Sequence, residues 1–140
     1  MKTSKIVLGG IAGAVTFFLL GWLVYGILLK DYAAANYNQC AARPMEQMIW
    51  WAMILSNLAY GLLLSIVFSW SNMKGILVGA IVGGIIGLLI AISMDLSMYS
   101  MSTMFSNHTA VCVDIIAYTV MSAIGGLVVA LVMGIIKEKA

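Results

Sequence analysis

Four long apolar stretches, separated by short polar segments, make up almost the whole of this chain. They run from Ile6 to Leu29, Met48 to Trp70, Gly75 to Met94 and Ile115 to Ile136, and none of them contains a charged residue. Each has roughly 20 residues or more, enough for an α-helix to cross the ~30 Å hydrocarbon core of a bilayer. We therefore predict an all-α, integral membrane four-helix transmembrane bundle, a single membrane domain over 1–140 with helices at about 6–29, 48–70, 75–98 and 109–136.

Small residues recur at every fourth position of the third stretch and its extension. The series is Gly75, Gly79, Gly83, Gly87, Ala91, Asp95 and Tyr99. In an α-helix this spacing keeps the side chains on one face, where a neighbouring backbone can approach closely. Glycine forms helices poorly in water, but the high cost of an unsatisfied peptide group in lipid keeps such a segment helical. The pattern indicates a helix that packs through its glycines.

The last stretch carries a matching series. Its members are Ala110, Asp114, Tyr118, Ser122, Gly126, Ala130 and Gly134. An antiparallel hairpin that turns near residues 104 and 105 would place four pairs of residues at equal depth in the bilayer. The pairs are Gly75 and Gly134, Gly79 and Ala130, Gly83 and Gly126, and Gly87 and Ser122. The same register brings Asp95 to the depth of Asp114, near one membrane surface. This predicts glycine-mediated packing between the third and fourth helices, although the spacing leaves the rotation of each helix open.

Composition and charge place the chain in a membrane and predict its orientation. It is 64% hydrophobic and 9% charged, which excludes an ordinary soluble domain. On one side lie Lys2, Lys5, Lys74, Lys137 and Lys139, and on the other only Lys30 and Arg43. The excess of basic residues predicts that both termini are cytoplasmic. The first apolar run is longer than the ~7–15 residues of a signal-peptide core, so we expect it to be retained as a span.

Most function classes lack their signatures here. The chain has no phosphate-cradling loop, no Ser/His/Asp arrangement on one face and no His-x-x-x-His helix, so we expect neither an enzyme nor a bound cofactor. The formal charge of +2 is accounted for by topology, and no nucleic-acid patch accompanies it. The lipid bilayer is the expected partner. Association with a second copy, or with another membrane protein, is left open.

The paired depth of Asp95 and Asp114 is the first candidate site. Two carboxyl groups brought together repel, which invites a shared proton, a cation, or a basic partner such as Lys30 or His108. Alternatively they are interfacial carboxylates, solvated or bonded to Tyr99, Tyr118 or serine side chains. Asn57, ~14 Å inside the second helix, would make an interhelical hydrogen bond or serve as a polar station on an ion path.

Sulfur-bearing residues raise two further hypotheses. Met94, Met98, Met101 and Met104 are followed by His108 and Cys112, a soft ligand set suited to Cu(I), although methionine is also a common filler of apolar gaps. Cys40 and Cys112 are the only thiols and fall on the same side, where a disulfide is possible if their Cα atoms lie within ~7 Å. Between the first two helices, 30–47 is predicted to be a solvated loop with a short interfacial segment.

Several short motifs carry a resemblance to a known group. They are Gly21-Trp-Leu-Val-Tyr-Gly-Ile-Leu-Leu-Lys30 with Asp31, Asn57-Leu-Ala-Tyr60, Met94-Asp-Leu-Ser-Met-Tyr99, and Val113-Asp114 leading to Met121-Ser-Ala-Ile-Gly-Gly126. The chain resembles small bacterial inner-membrane proteins classed only as a domain of unknown function. The resemblance implies the fold and a bacterial inner membrane, and no activity. Our leading hypothesis is a non-enzymatic packing or accessory protein; the alternatives are a small proton- or cation-coupled transporter using Asp95 and Asp114, and an extracytoplasmic Cu(I)-binding membrane protein.

Overall fold

The structure, a computed structural model, describes residues 2–136 and is helical over that range, with no strand. Its helices are α1 Lys2–Leu23, α2 Lys30–Asn36, α3 Trp50–Trp70, α4 Ile76–Met101 and α5 His108–Ile135, and a π-helical turn, Val24–Leu28, extends α1. Four segments are long and apolar enough to cross a membrane: Thr3–Leu28, Trp50–Trp70, Ile76–Met101 and His108–Ile135. Lys137 and Lys139, which enter the orientation argument, lie outside the described residues, and the orientation stays a prediction.

The long helices form two antiparallel pairs, α1 with α3 and α4 with α5. At one end of the bundle α1 and α4 stop while α3 and α5 begin. Both Asp95 and Asp114 lie toward this end. We call it the acidic end.

The backbones of α4 and α5 are in close contact along this pair. A β-carbon added to Gly83 would lie 2.7 Å from the Ser122 carbonyl oxygen and 2.8 Å from the Gly126 Cα. Gly79 likewise faces Gly126 and Ala130, and Gly87 faces Ser122. The neighbours of these three glycines are the residues that the equal-depth register predicts, so helix depth in this pair follows from the positions of the small residues.

The expected packing does not extend to the far end of this pair. Gly134 has no heavy atom within 4 Å of an added β-carbon. Gly75 precedes α4 as its N-cap, with φ of 101°, and its added β-carbon would meet only Val78 of its own turn. Both were predicted to be packing residues, and both predictions are wrong because α4 begins only at Ile76, where the two helices are no longer in close contact.

A second glycine seam joins α1 to α3. An added β-carbon on Gly13 would lie 3.1 Å from the Gly61 Cα, and one on Gly10 would lie 3.2 Å from the Leu62 Cα. The buried Ser65 of α3 donates a 2.7 Å hydrogen bond to the Ile6 carbonyl near the opposite end of the bundle. The first hairpin is therefore held in the same manner as the second.

The two hairpins meet around a buried aromatic and aliphatic core. Its fully buried members are Phe17, Leu64, Phe68, Met121 and Val129. Ser122 donates to the Gly83 carbonyl at 2.6 Å and lies 2.5 Å from the Tyr60 hydroxyl. Because the Ser122 proton is used on Gly83, Tyr60 is the donor in the second bond. This chain of two hydrogen bonds ties α3, α5 and α4 together inside the bundle.

The connection between α1 and α3 is only partly a solvated loop. Asn38 N–H donates to the Met104 carbonyl at 2.8 Å, and Ser106 N–H donates to the Asn36 carbonyl at 3.0 Å. The segment around Tyr37 is thus paired with the α4–α5 turn, while residues 39–44 are exposed. The predicted solvated loop is corrected for its first half, because its backbone groups find partners in the other hairpin.

Candidate functional site

Asp95 and Asp114 come together at the acidic end. Asp95 lies six residues before the last residue of α4 and Asp114 six residues after the first residue of α5. Each is therefore about 9 Å from its helix terminus. Their carboxyl groups are close enough for the charge of Asp114 to act on Asp95. The register set by the glycines of α4 and α5 accounts for this meeting.

A tyrosine from the connection between α1 and α3 bonds to Asp114. The Tyr37 hydroxyl donates a 2.8 Å hydrogen bond to Asp114 Oδ1. The Tyr37 ring lies edge-on to Phe105, with centroids 5.2 Å apart, and Phe105 is buried in the α4–α5 turn. Burial, and then the hydrogen bond to Asp114, raise the pKa of Tyr37 above its ordinary value. Tyr37 is therefore a neutral phenol, able to donate, throughout the physiological pH range.

A second tyrosine reaches the same carboxyl from α1. Tyr25 belongs to the π-helical turn, in which Leu29 N–H bonds to the Val24 carbonyl at 2.7 Å. The Tyr25 hydroxyl lies close enough to Asp114 for the charge of that carboxyl group to act on it. From α5, Tyr118 lies close enough to feel the charges of both carboxyl groups. Single π turns within α-helices are frequent at functional sites, where they redirect a side chain.

Within residues 2–136 the pair has no basic partner and lacks a full set of donors. Among the charged groups of this range, Asp114 is the one that acts on Asp95. His108, an expected partner, instead places its Nδ1 atom 3.1 Å from the Tyr99 hydroxyl, so neither side chain bonds to a carboxyl group as predicted. Within the described residues, Asp95 Oδ2 is buried with no hydrogen-bond partner, as is the Tyr32 hydroxyl. Two carboxylates offer only acceptors, so a hydrogen bond between them requires a proton.

A cavity of about 430 Å³ lies beside the pair, between α1, α3 and α5. Half of the residues that line it are aromatic: Phe17, Phe18, Trp22, Tyr25, Trp50, Tyr60 and Tyr118. The glycines Gly21 and Gly26 leave room on the α1 side, and no charged side chain lines the wall. Tyr25 and Tyr118 belong both to this wall and to the surroundings of the carboxyl pair.

Asn57 lines the cavity and does not bridge two helices. Its side-chain amide donates to the Met53 carbonyl one turn earlier in α3, at 2.8 Å. The predicted interhelical hydrogen bond is therefore wrong, because the backbone of its own helix satisfies the amide donor. Asn57 and Ser56 are the polar non-aromatic residues of the cavity wall.

The structure bears differently on the two hypotheses about the sulfur residues. Cys40 and Cys112 are both free and exposed, so the possible disulfide is not present. The part of the chain that the structure describes holds no group of three or more His, Cys, Asp or Glu side chains able to bind a metal. Met94, Met98 and Met101 are 58%, 42% and 77% exposed on α4. The Cu(I) site stays a prediction, with His108 already bonded to Tyr99.

Comparison with known protein families, with curated proteins and with solved structures finds no match to this chain. The geometry of the acidic end is therefore the basis for assigning a function. The sequence predicted the meeting of Asp95 and Asp114 but missed Tyr25 and Tyr37. The sequence places Tyr25 on one face of the first helix, in a fourth-position series with Gly9, Gly13, Phe17 and Gly21, but it does not indicate the π-helical turn.

Proposed function

We propose that this chain is a small multi-pass membrane protein that binds and exchanges a proton at the Asp95–Asp114 pair, as a step in proton- or cation-coupled transport. The observation that carries the proposal is the position of Asp95 and Asp114 at the same end of adjacent helices, where Asp95 Oδ2 is buried without a hydrogen-bond partner among the described residues. Two adjacent carboxylates repel strongly where the dielectric constant is low, and one shared proton removes the repulsion and supplies the missing donor.

The two carboxyl groups have different roles in this proposal. Asp114 accepts a hydrogen bond from the Tyr37 hydroxyl, so one of its oxygens already has a donor. Asp95 has a buried oxygen without a partner among the described residues, so we assign the proton to Asp95. The neutral phenol of Tyr37 holds Asp114 in place. Loss of the proton leaves a negative pair that a cation would neutralise.

Proton flux into liposomes tests this proposal. We expect the reconstituted protein to collapse an imposed pH gradient, followed with an enclosed pH-sensitive dye, and we expect Asp95→Asn and Asp114→Asn to abolish the flux. Asp31→Asn is the matched control, because Asp31 is an exposed carboxyl group in the first turn of α2. The infrared carbonyl band of a protonated carboxylic acid should vanish in Asp95→Asn. A wild-type protein without flux or without that band would refute the proposal.

The second candidate is the non-enzymatic packing or accessory protein. What favours it is the pair of glycine seams, at Gly13 with Gly61 and at Gly83 with Gly126, which are devices for tight helix association. For either function we propose a bacterial inner membrane, with both termini cytoplasmic and the acidic end facing outward. Absence of flux under every gradient, together with co-purification of a stable membrane partner, would favour the accessory role.

A further inference from the structure

The aromatic cavity has the size and shape of a site for a small organic molecule. Its volume of about 430 Å³ falls within the ~300–1,000 Å³ of small-molecule sites. Trp22 and Trp50 line it and are 61% and 48% exposed, so the cavity communicates with the exterior of the bundle. Gly21 and Gly26 leave this space unfilled, since an added β-carbon on Gly21 would meet only Met121 Cε, at 3.8 Å.

The charge around the cavity favours a cation. None of the described residues that line it is charged, and two of them, Tyr25 and Tyr118, also lie within reach of the charges of Asp95 and Asp114. Aromatic rings attract cations within about 6 Å of their centroids, most strongly where water is excluded. Phe17, Tyr60 and Tyr118 form one aromatic cluster in the wall, with centroid separations of 4.4–6.0 Å.

The wall is also poor in ligands for a metal ion. The described residues that line it include no His, Cys, Asp or Glu side chain, and the described part of the chain holds no group of three or more of them able to bind a metal. An anion would meet the carboxyl pair without a compensating positive side chain. The ligand that fits both the rings and the charge is an apolar organic molecule bearing one positive charge.

We infer that the aromatic cavity binds a monovalent lipophilic organic cation in exchange for the proton on the Asp95–Asp114 pair. The exchange rests on the proposed function, whereas binding in the cavity can be measured separately. One proton leaves Asp95 when one cation enters, so the net charge of the site is unchanged. The titratable groups that face the pair are the phenols of Tyr25, Tyr37 and Tyr118, and the exchange uses none of their protons.

Tetraphenylphosphonium binding to the full chain in lipid nanodiscs tests the inference, with empty discs as the blank. Tetraphenylborate has the same shape and the opposite charge, so we expect it not to compete. At pH values where the pair holds its proton, tetraphenylphosphonium affinity should fall by about tenfold for each unit by which the pH is lowered, because one proton competes with one cation. Gly21→Leu should weaken binding by at least about tenfold, because its side chain enters the cavity. Gly134→Leu is the control, since Gly134 has open space around it.

The outcomes separate the two proposals. If flux and the protonated-carboxyl band are present but tetraphenylphosphonium does not bind, the cavity assignment is wrong and the proton site stands. If tetraphenylphosphonium binds but Asp95→Asn leaves its pH dependence unchanged, the exchange is wrong. Equal binding of both tetraphenyl ions would show an apolar site without charge selectivity, and this result alone would overturn the inference. The Gly21→Leu protein is to be checked for unaltered elution in size-exclusion chromatography.

Discussion

Replacing Gly83 by alanine should weaken the bundle, although alanine is the better helix former. The new β-carbon would stand 2.7 Å from the Ser122 oxygen and 2.8 Å from the Gly126 Cα, whereas ordinary contacts begin at 3.4 Å. Both atoms are backbone, so no side-chain rotation can relieve the clash. The two helices must separate by about 0.7 Å at this crossing to bring both atoms to an ordinary distance. A gap of that size forfeits roughly a quarter to a half of each close van der Waals contact.

The magnitude follows from three terms. Overpacking a well-packed contact costs about 1–3 kcal/mol. Weakening the hydrogen bond from Ser122 to the Gly83 carbonyl adds about 0.6 kcal/mol, the average for such bonds in membrane bundles. Alanine returns about 1 kcal/mol through its helix propensity. We expect a net loss of roughly 1–2 kcal/mol in the free energy of unfolding, and a larger loss for Gly83→Leu.

Reversible unfolding in mixed micelles with increasing dodecyl sulfate measures this loss. Gly134→Ala is the matched control, because it makes the same chemical change in a helix where no atom lies within 4 Å. That variant should be unchanged or stabilised by up to about 1 kcal/mol. Equal unfolding curves for the two alanine variants would mean that the α4–α5 backbones are not in the contact described above.

Three further predictions concern other parts of the structure. Ser122→Ala should lose about 1 kcal/mol of unfolding free energy in the same micelles, since two hydrogen bonds disappear, whereas the exposed Ser97→Ala should lose none. Because the pKa of Tyr37 is raised in the fold, the contribution of this phenol to stability is complete below the ordinary tyrosine pKa of about 10 and declines above it. In pH-dependent unfolding, Tyr37→Phe should therefore lose less unfolding free energy at alkaline pH than the wild-type protein does. A membrane-impermeant maleimide should label both Cys40 and Cys112 in intact cells if the acidic end faces outward; absence of labelling would reverse the proposed orientation.

The spacing of residues along the chain predicted those parts of the fold that depend on the period of a single helix. Four uncharged stretches predicted the four membrane-spanning helices, with the second and third helix starts displaced by one or two residues. The fourth-position series predicted which residues of α4 and α5 lie at equal depth. Its failure at Gly75 and Gly134 has a local reason, since a series of small residues does not show where a helix ends.

The rest of the site depends on contacts between segments far apart in the chain. Tyr37 reaches Asp114 only because Asn38 and Ser106 pair the connection with the α4–α5 turn. Tyr25 reaches it only through a π-helical turn, for which the sequence from Val24 to Leu28 has no recognised signature. The cavity arises from helix rotations and from missing side chains at Gly21 and Gly26, and the periodicity of one helix does not determine either.

The site combines a rigid carboxyl pair with tyrosines on less regular structure. This difference indicates where proton exchange would be controlled. Asp95 and Asp114 stand on two helices whose backbones touch, so their mutual position is preorganised by packing. The phenols that separate them from their surroundings stand on less regular structure: Tyr25 on the π-helical turn and Tyr37 in the connection. Elements with fewer packed contacts open at lower free energy than a packed core. Access to the proton would therefore be governed by the two tyrosines, while the carboxyl pair itself stays in place.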